Sequence, residues 1–281
     1  MAVFPKAFIT TAATRLHLHV AGDLKYGWHE KSCGVKVTDS ASKSFWLRLL
    51  TAANGSVPRQ LWAGNESANN IKDVKRPRLF AAEEWEYENV IFRAEVLEFV
   101  DQSVISGTTY LSKPVSLDLT WFASLKLSLE NIVSVQTERV SIRQDLISRR
   151  LRERFEHADD TLVKTWETAH CDLHWGNLTH PECWILDWES WGKAPIGIDA
   201  AFLYCHSLLV PEIAAQIRKL FAEKLDQKEG IMSQLFACAE LMRMTEVYGD
   251  NYSLYRAIER HAEFLAPQLG WLLKKSEKVS V

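Results

Sequence analysis

The chain has 281 residues, of which 47% are hydrophobic and 25% are charged, and its formal net charge is −3 at neutral pH. This composition is that of an ordinary globular protein, long enough to form one large domain or two lobes. Proteins that bind nucleic acid or anionic membranes usually carry a basic surface, so the slightly acidic balance argues against both kinds of partner.

We find no pattern of export or membrane insertion in the sequence. The first 20 residues contain a short apolar run interrupted by threonines, which does not fit a secretory signal peptide. The most apolar segment, residues 200–210, is shorter than the roughly 18 residues that a transmembrane helix needs. The five cysteines are scattered without a CxxC pair, as in a reduced intracellular protein. We therefore expect a cytoplasmic protein.

The first half of the chain is predicted to form mostly strands. GVKV and FWLRLL flank a polar turn, which is a hairpin pattern, and RPRLF and VIFRAEVLEFV flank the acidic AAEEWEYEN, which we interpret as the turn of a second hairpin. The helix candidate between them is weakened by Gly64. The predicted order is strand, strand, helix, strand and strand, at residues 34–37, 45–50, 58–71, 76–80 and 90–100.

The second half is predicted to be mainly helical. Ser141 and Gln144 have the spacing of a capping box with Ser141 as N-cap, and Pro211 indicates another helix start. We expect an α+β protein with a small antiparallel β-rich lobe over residues 1–100 and a larger, mainly α-helical lobe over residues 101–281. One helix is predicted from apolar residues with helical spacing, namely Phe122, Leu125, Leu129, Ile132 and Val133.

The stretch HCDLHWGNLTHPECWILDWESWG, residues 170–192, allows three interpretations. A zinc site would use its histidines and cysteines, although they fit no familiar ligand spacing. An aromatic part of the core would bury its tryptophans, because large aromatic side chains usually do so. The zinc candidates are His170, Cys171, His174, His180 and Cys183, and the tryptophans are Trp175, Trp184, Trp188 and Trp191.

A phosphoryl-transfer site is the third interpretation. The pattern H-x-D-x-x-x-x-N carries Asp172 and Asn177, and the short strand WIL then delivers Asp187. Transfer of a γ-phosphoryl group needs a carboxylate at the acceptor hydroxyl and hard oxygen ligands for Mg²⁺. Asp172 fits the first role, and Asn177 and Asp187 fit the second.

HCDLHWGN followed by ILDWE resembles the catalytic and metal-binding motifs of the aminoglycoside phosphotransferase and choline kinase-like family. The resemblance implies a protein-kinase-like two-lobe fold and the cofactors ATP (or GTP) and Mg²⁺. It also implies transfer of the γ-phosphoryl group to a hydroxyl of a small molecule, such as an aminoglycoside or another antibiotic, by a monomer or a dimer.

The same resemblance implies roles for the residues around the motif. His170 would support the loop, Asp172 would be the catalytic aspartate, and Glu189 would hydrogen-bond metal-bound water. His174 occupies a position where small-molecule kinases often have histidine, which favours a small-molecule acceptor. Asp199 would brace the catalytic loop from the helix that follows, although it could also be an ordinary acidic residue of a first helical turn.

In the first half, the resemblance implies a cation and a helix glutamate that hold the nucleotide phosphates. Arg48 and Glu66 match these positions, but the family usually has lysine in place of Arg48, and arginine is bulkier and planar. Lys36 or Lys43 could serve instead. The adenine would lie against the backbone of the lobe connection, at Leu97, Glu98, Phe99 and Val100.

Two features of the sequence weaken the match to an active kinase. Besides Arg48, the segment expected to cover the phosphates, residues 25–34, has only two glycines. A nucleotide-binding pseudokinase or scaffold protein is therefore the alternative function. The acceptor is expected to bind near the C-terminal helices. Acidic residues and arginines alternate there, so the sequence does not show whether the acceptor is positively charged. The acidic residues are Glu240, Glu246, Asp250 and Glu259.

Overall fold

The structure is a computed structural model, and it describes residues 8–27, 32–249 and 252–274. Its fold is α+β, with an antiparallel sheet in the N-terminal part and mostly helices in the C-terminal part, which confirms the predicted class. The chain divides into two compact units. The N-terminal unit runs to Lys72 and also includes Arg76–Gln102, and the C-terminal unit comprises Asp73–Lys75 and the chain from Ser103.

The N-terminal unit is built on one antiparallel sheet with the strand order β1-β3-β4-β6-β5, and β2 also pairs with β3. The predicted order of two strands, a helical segment and two strands is confirmed. The first helix and the first two short strands were not predicted. The elements are α1 (Ile9–Arg15), β1 (His19–Val20), β2 (Lys25–Tyr26), β3 (Ser32–Thr38), β4 (Ser44–Ala53), α2 (Arg59–Trp62), α3 (Gly64–Ala68), β5 (Leu79–Tyr87) and β6 (Val90–Glu98).

The acidic segment of the second hairpin is a strand and not a turn. β5 continues through it to Tyr87, and the turn consists of Glu88 and Asn89, both with positive φ. Two consecutive residues with positive φ form the tight turn that suits the twist of a hairpin. The glutamates of β5 are tolerated because this is an edge strand with mostly exposed side chains.

One face of this sheet is buried beneath α1. Along β4 the side chains alternate, and Phe45, Leu47 and Leu49 lie on the face that forms a core with α1. Helix α1 was not predicted from the sequence because it is short and contains three threonines, which have low helix propensity. It forms because its small buried face, Ile9, Ala12 and Ala13, packs on the sheet.

The C-terminal unit is mainly helical, with three antiparallel strand pairs, β7–β10, β9–β11 and β8–β12. Within the described ranges, no helix combines the length and the apolarity needed to cross a membrane. The elements are β7 (Ser103–Val104), α4 (Leu119–Val133), α5 (Gln144–Arg154), β8 (Phe155–Glu156), β9 (Trp166–Ala169), a 3-10 turn (Trp175–Asn177), β10 (Thr179–His180), β11 (Gly192–Pro195), α6 (Ile198–Cys205), α7 (Pro211–Leu220), α8 (Ala222–Leu225), α9 (Lys228–Tyr248), α10 (Tyr252–Leu265), a 3-10 turn (Ala266–Leu269) and β12 (Leu272–Leu273).

The predicted helix starts are confirmed in one case and wrong in another. Helix α7 begins at Pro211 as predicted. Helix α5 begins at Gln144 and not after Ser141, so the two residues form no capping box. Ser141 N–H instead donates to the carbonyl of Lys193 at 3.0 Å, which ties this segment to β11. The Gln144 side chain donates to the Thr161 carbonyl at 2.8 Å.

Candidate functional site

The chain between β9 and β11 brings the three residues of the phosphoryl-transfer interpretation together. β9 ends at Ala169, a loop carries Asp172, and the 3-10 turn ends at Asn177. The next residues run back antiparallel, so that Leu186 N–H donates to the Asn177 carbonyl at 2.8 Å. Asp187 follows immediately and has a positive φ of 61°. Such a backbone conformation is uncommon outside glycine and often marks a functional site.

Asp172 and Asn177 are in direct contact. Asn177 Nδ2 donates to the Asp172 carbonyl at 2.9 Å and to Asp172 Oδ2 at 3.3 Å. Because the amide nitrogen makes these contacts, the amide oxygen points away from Asp172 and can serve as a ligand. Asn177 N–H donates to the His174 carbonyl at 2.9 Å, which closes the turn.

His174 lies beside the Asp172 carboxylate, and its ring is neutral. Its Nδ1 accepts a hydrogen bond from Gly176 N–H at 3.1 Å, so the proton of the neutral ring is on Nε2. Nε2 lies 3.8 Å from Asp172 Oδ2. Burial lowers the pKa of His174 to about 4, although the negative charge of Asp187 raises it in part. The Nε2 atom is also 3.2 Å from Asn177 Nδ2, so the neutral ring packs beside both Asp172 and Asn177 without adding a charge.

His170 connects the loop to the strand before Asp187. Its Nδ1 accepts a hydrogen bond from Asp172 N–H at 3.3 Å, so Nε2 carries the proton and donates to the Leu186 carbonyl at 2.9 Å. The ring is fully buried and packs against Trp188 in a T-shaped arrangement, with 4.9 Å between the ring centroids. Burial lowers the pKa of His170 to about 4, so the ring is neutral.

Asp199 holds the other side of the loop. It lies in the first turn of α6, and its Oδ2 and Oδ1 accept hydrogen bonds from His170 N–H at 2.7 Å and from Cys171 N–H at 2.8 Å. Burial raises the pKa of Asp199 to about 6, while these two hydrogen bonds lower it in part. Cys171 has a φ of 67°, an unfavourable conformation that is held by the hydrogen bonds that the His170 and Cys171 N–H groups donate to Asp199.

The donor set has the charge that a divalent cation needs. Burial raises the pKa of Asp172 well above its usual range, and the negative charges of Asp187, Glu189 and Asp199 raise it further, whereas the hydrogen bond from Asn177 lowers it. The Asp172 side chain is 46% exposed, so contact with water limits the effect of burial on its pKa. The negative charges of the neighbouring carboxylates therefore remain an important cause of the shift. A cation held by these oxygens would offset the repulsion, and carboxylate and amide oxygens are ligands that Mg²⁺ prefers.

The zinc interpretation does not fit the described residues. Among them, no group of three His, Cys, Asp or Glu side chains is placed to share a metal ion. Both ring nitrogens of His170 are used in hydrogen bonds, and burial raises the pKa of the Cys183 thiol to about 12, whereas zinc binds the thiolate. Mg²⁺ needs only one or two carboxylates, because water and phosphate supply its other ligands.

The sequence matches no protein-family model, and no curated protein is similar to it in sequence. Solved structures are similar in fold. The amicoumacin kinase hAmiN, solved with AMP-PNP, Ca²⁺ and Ami, has a TM-score of 0.57 at 12% identity, covering 94% of this chain and 93% of that chain. The aminoglycoside phosphotransferase APH(4)-Ia has a TM-score of 0.60 at 11% identity, covering 91% and 98%. The macrolide 2′-phosphotransferase MphH from Brachybacterium faecium has a TM-score of 0.53 at 16% identity, covering 93% of this chain and 98% of that chain.

The chain has the protein-kinase-like fold of the antibiotic phosphotransferases. The resemblance that the motif indicated is thereby confirmed at the level of the fold, which is as far as identities of 11–16% extend. In this kinase-like fold, the loop with Asp172 and the turn with Asn177 belong to the C-terminal unit.

Most tryptophans of the motif are part of the core of the kinase-like fold. Trp175, Trp188 and Trp191 are buried, so their rings are not exposed to a ligand. Trp175 Nε1 donates to Ser207 Oγ at 3.0 Å, and Trp188 Nε1 donates to the Ile185 carbonyl at 2.7 Å. The core interpretation is therefore right for these three residues, and it accompanies the phosphoryl-transfer interpretation.

Arg139 is a contributor to this site that the sequence did not reveal. Its Nη2 donates to the Glu189 carbonyl and its Nε to the Trp191 carbonyl, both at 3.0 Å. Its guanidinium lies over the Trp191 ring, 5.1 Å from the centroid. The backbone that carries Glu189 is thus fixed from a segment 50 residues away in sequence. Arg139 directly precedes Val140, which forms an isolated bridge with Lys193 of β11, and no local pattern of the sequence indicates this contact.

In the N-terminal unit, Glu66 contacts a different arginine from the one expected. Arg48 lies on the sheet face opposite α1, in register with Glu95 of β6. Glu66 Oε2 is 3.5 Å from Arg93 Nη2, and its side chain is 68% exposed. Glu95 is buried and accepts hydrogen bonds from Asn65 Nδ2 and Arg93 Nε, both at 2.8 Å. The buried carboxylate beside Arg48 in the sheet is therefore Glu95, which the sequence analysis missed.

The lobe connection that is expected to contact the adenine, residues 97–100, begins inside the sheet. Leu97 and Glu98 are the last residues of β6, and Glu98 N–H donates to the Arg78 carbonyl at 2.8 Å, so that amide is already used. Phe99 and Val100 follow the strand and are half-buried. Lys36 Nζ lies 4.5 Å from the centroid of the Phe99 ring. The tip of the segment expected to cover the phosphates, residues 28–31, lies outside the described residues.

The acidic residues of the C-terminal helices are paired with arginines. Glu240 forms ion pairs with Arg150 and with Arg243, and Glu246 binds Arg154. Glu259 forms an ion pair with Arg256 at 2.8 Å. Asp250 lies outside the described residues. Carboxylates whose charge is already compensated attract a polycation poorly, so these helices give no support to a polycationic acceptor.

Proposed function

We propose that this protein is a phosphotransferase that moves the γ-phosphoryl group of ATP or GTP to a hydroxyl of a small molecule, with Mg²⁺ as the metal ion. The observation that carries the proposal is the placement of Asp172, Asn177 and Asp187 together on two adjacent segments. His170 and Asp199 hold these segments through buried hydrogen bonds, as expected for a preorganised site.

Asp172 is the group that handles the proton in this proposal. The hydroxyl oxygen of the acceptor forms a bond to the γ-phosphorus while the bond from that phosphorus to the β–γ bridging oxygen breaks, and the hydroxyl proton passes to Asp172. Asn177 and Asp187 would hold Mg²⁺, which neutralises the charge of the phosphates when it is bound. His174 packs beside these groups as a neutral ring, with its Nε2 3.8 Å from Asp172 Oδ2 and 3.2 Å from Asn177 Nδ2.

In the N-terminal unit, Arg48 is proposed to bind the α- and β-phosphates. Arg48 shares its sheet face with Glu95, and we propose Glu95 in place of Glu66 as the acidic residue that orients it, because Glu95 is buried in register with it. The backbone of Leu97 to Val100 remains the proposed contact of the adenine, with Phe99 and Val100 beyond the end of the sheet.

An uncharged or weakly charged antibiotic-like hydroxyl compound is the acceptor that we propose. The names of the similar structures include amicoumacin, aminoglycoside and macrolide as the compounds on which those proteins act. The arginine-paired carboxylates of this chain favour an acceptor with little positive charge. We also propose that the protein works in the cytoplasm as a monomer or dimer; its five free thiols agree with a reducing compartment.

Replacement of Asp172 tests the proposal. Asp172→Asn removes the proton acceptor but keeps the size of the side chain, so we expect turnover to fall by about 10²–10⁴-fold while nucleotide binding persists. Turnover is measured as ADP release with a panel of macrolides, aminoglycosides and other hydroxylated compounds, and binding as the thermal shift with ATP and Mg²⁺. Asp160→Asn, in an exposed ion pair, is the matched control. Full turnover of Asp172→Asn contradicts the proposal.

A nucleotide-binding protein without catalysis is the second candidate, because Arg48 replaces the usual lysine. The same measurements distinguish the two functions. A thermal shift with ATP and Mg²⁺ without turnover on any acceptor of the panel favours the second candidate, and Arg48→Lys should then change binding and leave turnover absent.

A further inference from the structure

An ion pair lies behind the residue that braces the loop. Glu167 of β9 is only 10% exposed in its side chain, and its Oε2 accepts a hydrogen bond from Lys224 Nζ of α8 at 2.6 Å. Its Oε1 accepts a hydrogen bond from Gly197 N–H at 2.8 Å. The two oxygens of one carboxylate therefore join α8 to the residue that immediately precedes α6.

The position of Gly197 determines where α6 begins. Gly197 is the N-cap of α6 and has a φ of 75°, a conformation that suits glycine, and Asp199 is the second residue of the helix. A Cβ at Gly197 would lie 3.5 Å from Lys224 Cβ, so the lysine stem packs directly against this turn. Helix α8 is itself fixed, because a Cβ at Gly230 would lie 1.9 Å from the Lys224 carbonyl oxygen. Small shifts of α8 are thus restricted on two sides.

We propose that Glu167 and Lys224 are positioning residues for catalysis, which set the start of α6 so that Asp199 holds His170 and Cys171 in the loop that presents Asp172. This inference rests on the proposed function. It assigns a catalytic effect to an ion pair that would otherwise serve only the stability of the C-terminal unit. Neither residue touches the reacting atoms, and both act through Asp199.

The two residues act on Asp199 in opposite electrostatic directions. Burial is the main cause of the raised pKa of Asp199; the negative charge of Glu167 raises it further, whereas the positive charge of Lys224 lowers it. The other ionisable groups that face Asp199 are Asp172 and the Cys171 thiol, both on the loop. A protonated Asp199 is a weaker acceptor for the loop amides, so activity should decline on the acidic side as this group gains its proton.

The experiment compares Lys224→Met and Glu167→Gln in the full chain. Lys224→Met keeps the aliphatic part of the side chain but removes its charge. We expect kcat to be roughly tenfold lower, with the KM for nucleotide unchanged. The pH at which activity falls on the acidic side should be about half to one pH unit higher. Glu167→Gln keeps an acceptor for Gly197 N–H and removes the negative charge, so we expect the acidic limb to move to lower pH. Lys224→Arg should restore kcat and the parental profile.

Hydrogen exchange gives a readout that does not depend on turnover. In Lys224→Met, we expect the protection of the His170 and Cys171 amides to fall roughly tenfold at neutral pH. Lys228→Met, which breaks the exposed ion pair with Asp160, is the matched control and should change neither protection nor the pH profile. If the parental chain shows no turnover, exchange at these two amides still decides whether the ion pair sets the loop, and the failure then belongs to the proposed function.

Three results would overturn the inference. One is unchanged protection of the two amides in Lys224→Met. Another is an acidic limb that moves in the same direction in both variants or in neither. The third is a uniform loss of activity at every pH that follows a lower melting temperature and that Lys224→Arg does not restore, because that is the signature of a merely structural pair.

Discussion

At the scale of single residues, the site is defined by polar groups whose protonation follows from their hydrogen bonds. His170 accepts from Asp172 N–H and donates to the Leu186 carbonyl, which fixes its tautomer, and His174 is fixed in the same manner by Gly176 N–H. Burial lowers the pKa of both rings to about 4, so neither adds a positive charge beside Asp172. Neither ring therefore compensates the negative charge of the carboxylates.

The core role of the motif tryptophans gives a prediction at this scale. Trp175 is fully buried and donates to Ser207 Oγ, so Trp175→Phe should lower the free energy of unfolding by about 1–3 kcal/mol through lost packing and a lost hydrogen bond. The KM for the acceptor should stay within about twofold of the parental value. Trp184→Phe, at a half-buried position, is the matched control with a smaller loss. A raised acceptor KM at unchanged stability would instead indicate a ligand contact.

At the scale of elements, the N-terminal sheet depends on a close approach between β3 and β4. Gly34 of β3 lies beneath the ring of Trp46, and a Cβ at Gly34 would be 2.5 Å from Trp46 Cζ2. Trp46 and Arg48 both lie on the sheet face opposite α1. The glycine that the sequence suggested for a phosphate-covering loop is thus needed for packing between two strands.

This contact predicts a coupled pair of substitutions. Gly34→Ala should destabilise the N-terminal unit by about 1–3 kcal/mol, because the ring must move to admit a methyl group. Combining it with Trp46→Leu should recover most of that loss, since the leucine leaves room, and the coupling is measured in a double-mutant cycle by urea unfolding. Gly107→Ala, where no atom of the described residues lies within 4 Å of the new methyl, is the control. Additive effects would show that the two residues are independent.

At the scale of the whole molecule, buried neutral histidines make stability depend on pH. Burial lowers the pKa of His206 to about 3 and of His261 to about 4, and it also lowers the pKa of His170 and His174. A base whose pKa is lower in the folded state contributes stability above its unfolded pKa of roughly 6.5, and this contribution is lost as the pH falls toward the folded value. Asp199 acts in the opposite direction, because burial raises its pKa from 3.8 to about 6.

His206 isolates this effect. Its ring is buried, donates from Nδ1 to the Phe202 carbonyl at 2.9 Å, and has no role in the proposed chemistry. His206→Phe should reduce the dependence of the unfolding free energy on pH by up to about 1.4 kcal/mol per pH unit between roughly pH 6.5 and 4, the value for one proton. The measurement is urea unfolding at several pH values. An identical slope in parent and variant would contradict the assignment of a neutral buried ring.

The sequence by itself determined the local features of this protein. The spacing of Asp172, Asn177 and Asp187 was sufficient to bring them together, because a tight turn followed by a short antiparallel return leaves little freedom over so few residues. The order of β3, β4, the helical segment, β5 and β6 followed from apolar patterning and turn residues, whereas α1, β1 and β2 were missed. The extent of β5 was mispredicted because an exposed edge strand tolerates acidic residues that are typical of a turn. The start of α5 was mispredicted because the Ser141 N–H pairs with the carbonyl of the distant Lys193.

Only the tertiary structure decided which charged groups are partners. It paired Glu66 with Arg93, buried Glu95 beside Arg48, and joined Glu167 to Lys224 across 57 residues of sequence. Composition shows that such charges exist, but the partner of each charge depends on strand register and helix packing, which no local pattern encodes. The residues proposed for the chemistry therefore lie in one short motif, whereas the groups that hold the loop around them come from segments that are distant in sequence.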